Sequence, residues 1–196
     1  VIVHRSKYRE AVEAAAAAAS GLLVGDPHER STVIGPLAAE RQRARVEGYI
    51  ELGIAEGARV SAGGRRPHHL PKGWYVEPTI LSDVDNSWRV AQEEIFGPVL
   101  CLIRSDDDDH AIGLANNSSY GLSGGVWSAD PERALRVAKR VRTGGVAING
   151  TYPAYPFVTF GGFKESGIGR ELGPEGLQSF LELKSIGLPE QSVRDE

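Results

Sequence analysis

Gln92-Glu93-Glu94-Ile95-Phe96-Gly97-Pro98-Val99 sets two carboxylates, an aromatic ring and a glycine-proline turn directly ahead of the apolar run Val99-Leu100-Cys101-Leu102-Ile103. The start of an ordinary strand needs only the apolar part. In extended backbone successive side chains alternate faces, so Glu94 and Phe96 point one way while Ile95 points into the core. An acceptor and a flat ring then share a surface suited to a ribose hydroxyl and a planar base. Gly97 tolerates close approach, and Pro98 fixes its own φ while pushing Gly97 toward extended geometry. A solvated acidic turn ahead of a buried strand accounts for the same residues, and the rest of the chain must decide. The run 99–103 is continuously apolar, as in a strand covered on both faces of a parallel sheet.

Upstream, residues 1–4 read as a short buried strand, and 8–23 as a helix driven by the alanines of 14–19. Gly25-Asp26-Pro27 ends it. Residues 38–56 place Val46, Ile50, Leu52 and Ile54 among arginines and glutamates at helical spacing, an amphipathic surface helix. An edge strand follows at 58–62, then a turn-rich loop, then a strand at 75–81 whose Pro78 implies an edge position or a bulge. Downstream, Ser105 and the acids Asp106 to Asp109 cap a helix reaching about Asn116. Residues 122–128 read as a strand, and Asp130-Pro131-Glu132 opens a helix with Asp at the N-cap and Pro in the first turn, ending at Gly144. A strand at 146–149, a loop rich in proline and aromatics, a helix at 174–180 and a strand at 181–188 complete the chain. Strands alternating with helices indicate an α/β layered domain. There is no internal repeat and no long interior linker.

Bulk properties exclude some classes. The 196 residues suit one domain, with 41% hydrophobic and 24% charged content. Lys plus Arg total 22 against 26 for Asp plus Glu, a net charge of −4 that attracts neither nucleic acid nor anionic membrane. No apolar run approaches the roughly 18 residues of a membrane helix, and no signal peptide opens the chain. One cysteine suits a reducing compartment, so a cytoplasmic location is expected. Methionine is absent, which implies a piece of a longer polypeptide.

Other candidate chemistry is weak. Cys101 lies in the middle of an apolar strand, where burial raises a thiol pKa, so it reads as structural. The histidines 4, 28, 68, 69 and 110 lack ligand spacing, and no metal site is expected. Gly167-Ile168-Gly169-Arg170-Glu171-Leu172-Gly173 has its third glycine one position late for a dinucleotide loop and follows a loop rather than a strand. The basic face formed by Arg133, Arg136, Lys139, Arg140 and Arg142 reads as a solvated helix surface.

Three stretches together resemble the aldehyde dehydrogenase superfamily, in its order and approximate spacing. They are Glu93 to Val99, the run Asn116-Asn117-Ser118-Ser119-Tyr120-Gly121-Leu122 continuing to Val126-Trp127-Ser128, and Asn149 followed by Phe160-Gly161-Gly162-Phe163-Lys164-Glu165-Ser166-Gly167-Ile168-Gly169-Arg170-Glu171. The resemblance covers residues 1–186 and corresponds to the C-terminal part of such an enzyme. It implies a three-layer α/β/α domain with a mostly parallel sheet over 1–180, and an oligomerisation strand and tail over 181–196. It further implies NAD or NADP as cofactor, an aldehyde substrate, and a homo-oligomer, dimer or tetramer, built through the C-terminal strand.

Position by position, Glu94 matches the glutamate that hydrogen-bonds the nicotinamide ribose, and Phe96 the aromatic beside it. Phe160 matches an aromatic at the aldehyde pocket, and the loop 151–159 the segment that shapes substrate choice, making Tyr152, Ala154 and Tyr155 pocket candidates. Glu171 matches a glutamate near the proton path, although an ion pair with Arg170 or another arginine is an equal reading. One departure is Thr159, where the family usually has proline, which loosens that turn. The family's nucleophilic cysteine and general-base glutamate, which act through a cysteine thiohemiacetal and thioester, lie upstream of the segment resembled here. These residues alone are therefore expected to be inactive. The rival expectation is a non-catalytic assembly module, and a nucleotide-binding module using the glycines of 161–173 is weaker still.

Overall fold

The computed structural model describes residues 1–151 and 155–188. Its fold is α/β, and among the described residues three of the five strand ladders are parallel. Two compact units arise, Val1–Ser119 and Tyr120–Glu196. The first contains β1 (Ile2–His4), α1 (Tyr8–Gly21), α2 (Glu40–Glu56), β2 (Arg59–Ala62), β3 (Thr79–Ser82), α3 (Arg89–Gln92), β4 (Val99–Cys101), β5 (Ile103–Ser105) and α4 (Asp108–Asn116). The second contains β6 (Tyr120–Gly121), β7 (Ser123–Val126), α5 (Pro131–Ala138), β8 (Gly145–Ile148), β9 (Phe163–Lys164) and α6 (Gly173–Gln178).

In the first unit β3 is the central strand, antiparallel to β2 and parallel to β4. All four of its residues are buried. Side chains alternate across it: Ile80 packs with Tyr8, Ala19 and Leu102, whereas Leu81 packs with Ala58, Val84, Val90 and Ile103. The strand covered on both faces is thus β3, not the run 99–103. That run breaks at Leu102, because its two halves pair with different partners, β4 with β3 and β5 with β1. Leu102 donates its backbone N–H to Leu81 at 2.8 Å and stays buried, while Leu100 is exposed. Pro78 sits just before the ladder of a central strand, where its missing N–H removes no ladder bond. The irregular register lies instead in β2, between Val60 and Ala62.

The buried stripe of α2 is Val46, Ile50 and Gly53, at i, i+4 and i+7, while Ile54 is exposed. Gly53 replaces the expected Leu52 and Ile54 because a Cβ there would come within 2.9 Å of Leu81 Cδ1. Asp107 caps α4 by accepting the His110 N–H at 2.8 Å. Asp130 caps α5 by accepting from the N–H groups of Glu132 and Arg133 at 3.0 and 3.1 Å. The latter helix stops at Ala138, short of Gly144. In the second unit β7 and β8 run parallel, and β6 pairs antiparallel with β9. Residues 181–188 form no ladder with any described residue. Among the described residues no helix is long and apolar enough to cross a membrane.

Candidate functional site

The opening stretch leaves α3 at Glu93 and reaches β4 at Val99. Along it, Phe96 departs from extended geometry with φ at 55°, so strict face alternation ends at Ile95. Ile95 packs inward against Leu81, Val46 and their neighbours, as its pattern implied. Glu94 and Phe96 are both exposed, Phe96 at 69%. The two reach the same cleft by a left-handed turn rather than by the pleat. That cleft, of about 310 Å³, is lined by Val90, Glu93, Glu94, Ile95, Phe96, Gly97, Val99 and Cys101. Phe96 also borders a neighbouring hollow of about 400 Å³ formed by residues 36–39, Arg41 and Gln42.

Helix α2 fixes this turn through residues that motif reading missed. Gln42 donates from Nε2 to the carbonyls of Ile95 and Phe96 at 3.3 and 2.6 Å. Arg45 donates from Nη2 to the Glu94 carbonyl and lies 4.9 Å above the Tyr49 ring. Three consecutive carbonyls are therefore held by one helix face. The spacing of Gln42, Arg45 and Tyr49 at i, i+3 and i+7 was a legible signal of a shared face, but their partners were not. Gly97 is held from the same helix, since a Cβ there would lie 2.3 Å from Val46 Cγ2.

The two adjacent glutamates differ. Glu93 receives Arg89 Nε and Nη2 at 2.8 and 3.0 Å and the Tyr49 hydroxyl at 2.6 Å. The Arg89 hydrogen bonds, followed by that of Tyr49, pull its carboxyl down to about 2. Glu94 has its backbone carbonyl pinned but its carboxylate open to solvent, without a hydrogen bond to any described residue. It is a free acceptor on a fixed base. Cys101 lines the same cleft, but its Sγ donates to the Val90 carbonyl at 3.6 Å and burial pushes its thiol up. A thiol held in its neutral form is a poor nucleophile.

In the second unit Phe160 is half-buried and forms an antiparallel bridge with Glu171, exchanging both backbone hydrogen bonds at 2.8 and 2.7 Å. The Glu171 side chain is exposed. Arg170 does not pair with it; its Nη1 donates to the carbonyls of Gly162 and Gly169 at 3.0 and 2.6 Å, and it covers the Phe163 ring. Tyr155 stacks on Phe157. Tyr152 and Ala154 lie outside the described residues. Gly167 and Gly169 have positive φ within a turn rather than at a helix start. Among the described residues no cluster of three or more His, Cys, Asp or Glu could hold a metal ion.

Residues 1–186 match the family described as Aldehyde dehydrogenase family. The chain belongs to it. It is 47% identical over 188 residues to a geranial dehydrogenase of Castellaniella defragrans, covering 96% of this chain and 39% of that protein. It is 39% identical to a chloroplastic betaine aldehyde dehydrogenase of Atriplex hortensis, covering 95% of this chain and 37% of that one. Among solved structures, an aldehyde dehydrogenase of Mycobacterium tuberculosis complexed with NAD+ superposes with a TM-score of 0.90 at 48% identity, over 96% of this chain and 39% of that one. The chain therefore spans about 39% of the length of such relatives.

Proposed function

We propose that these residues are the C-terminal catalytic-domain portion, 1–180, and the oligomerisation segment, 181–196, of an NAD(P)+-dependent aldehyde dehydrogenase that oxidises an aldehyde to a carboxylic acid. The observation that carries the reading is Glu94: an ionisable acceptor without a partner among the described residues, on backbone clamped by Gln42 and Arg45, beside an exposed ring in an open cleft. A carboxylate accepts both hydroxyls of a ribose diol, and a flat exposed ring flanks a planar base, so the donor set fits a nicotinamide riboside. Glu94 and Phe96 would hold that half of the cofactor, NAD or NADP. When bound, the cofactor accepts the hydride. Glu94 and Phe96 orient it, and by likeness to the family Phe160, Tyr152, Ala154 and Tyr155 are assigned to the aldehyde pocket and Glu171 to a path for protons. Cys101 is unsuited to attack, so the 196 residues alone do not turn over aldehyde. One free cysteine suits a cytoplasmic setting.

Glu94→Gln in the complete enzyme tests the reading. Losing a charge-assisted hydrogen bond of roughly 1.5–3 kcal/mol lowers kcat/KM for the cofactor about tenfold or more. Unchanged cofactor kinetics would remove Glu94 from the site. A second reading, a non-catalytic assembly module, draws on a different observation: Leu177, Phe180, Leu181, Leu183, Ile186 and Leu188 are all exposed. The two readings are compatible if the segment pairs with another copy of the same enzyme.

A further inference from the structure

The segment 155–160 presents two exposed rings, Tyr155 at 53% and Phe157 at 74%, stacked with centroids 5.2 Å apart and planes 8° from parallel. Exposed rings hold one position only where their backbone is fixed. Here it is fixed to the segment 171–175 at three successive points. Gly173 N–H donates to the Pro156 carbonyl at 2.9 Å, the Thr159 hydroxyl donates to the Glu175 carboxylate, and Phe160 exchanges its pair of bonds with Glu171. Gly173 is confined to glycine, with φ at 59° and a notional Cβ 2.6 Å from Thr159 Oγ1. Within the loop, Val158 N–H closes a turn on the Tyr155 carbonyl at 3.0 Å. Two of the three points are backbone to backbone. The third is made by side chains, so substitution can remove it while the other two remain. The hydroxyl bond also lowers the Glu175 carboxyl, keeping the acceptor ionised.

We propose that Thr159 and Glu175 form a clasp that determines aldehyde size selectivity by fixing where the Tyr155 and Phe157 rings stand. The inference rests on the reading above that the loop 151–159 shapes the aldehyde pocket. Thr159 here does with a hydrogen bond what a rigid ring at that position would do with a fixed φ. The clasp acts through the loop, so Thr159 and Glu175 are positioning residues.

The test uses the complete enzyme with Thr159→Val, Glu175→Gln, the pair combined, and the conservative Thr159→Ser. The readout is the ratio of kcat/KM for propanal to that for cinnamaldehyde, alongside KM for NAD(P)+ and the melting temperature. Removing one hydrogen bond of about 1 kcal/mol moves the selectivity ratio about fivefold toward unity in either single variant. The double variant goes no further than Thr159→Val, because the Thr159–Glu175 contact is already broken there. Thr159→Ser keeps the original ratio, and cofactor KM stays put. An unchanged ratio in the folded single variants overturns the clasp, as does an equal loss for both aldehydes with a lowered melting temperature. A wild-type enzyme that oxidises neither aldehyde nor any larger panel overturns the pocket reading itself, and is seen before any variant is made.

Discussion

Arg89 and Tyr49 take hold of Glu93 and leave its neighbour Glu94 to the solvent. The folded pKa of Glu93, near 2, lies below the ordinary 4.5. Stability from such a depressed carboxyl is fully present above pH 4.5 and is lost as the pH falls toward 2. Glu93→Gln therefore melts below the wild type at pH 6, and the gap closes between pH 4.5 and pH 2; a gap independent of pH would show that the Arg89 contact contributes nothing. At this scale the exposure of Glu94 and Phe96 on one cleft was legible from residue type, although not by the face alternation expected. The left-handed φ of Phe96 was not, because only glycine and a few short polar residues advertise that region. Thr159 was expected to loosen its turn; instead its hydroxyl donates to Glu175, sixteen positions later, a contact that no local pattern announces.

Helix α2 does for the cleft what no single motif residue does, reaching three carbonyls and closing over Gly97. Gly97→Ala drives a methyl into Val46, an overpacking cost of about 1–3 kcal/mol. The measurement is a pair of thermal melts: Gly97→Ala is destabilised, and adding Val46→Ala recovers part of the loss. No recovery would mean that the strain lies elsewhere. The cap at Asp130 was read correctly and that of α4 fell within the run expected, Ser105 to Asp109, because a short acceptor ahead of a helix satisfies its first N–H groups whatever surrounds it. The break at Leu102 was invisible, since an apolar run carries no mark of where its ladder changes partner. Two-residue strands such as β6 and β9 exist only through each other and leave no periodic trace.

At the scale of the whole chain, α/β layering was legible from alternation, whereas the line between Ser119 and Tyr120 was not, as no linker composition marks it. The expected strand at 181–188 has the alternating sequence Leu181-Glu182-Leu183-Lys184 but no ladder partner among the described residues, and Leu183 is fully exposed. Self-association through that segment predicts that Phe180→Asp with Leu183→Asp lowers the sedimentation coefficient of the complete enzyme toward that of a monomer; an unchanged coefficient assigns assembly to another surface. The three clusters of large buried apolar side chains all fall before Ser119, while among the described residues the later unit buries Ala134 and Ala147 as its apolar core. Apolar burial among the described residues is thus concentrated in the earlier unit, so emptying Leu81 to alanine leaves a larger hole than any single truncation in the later one.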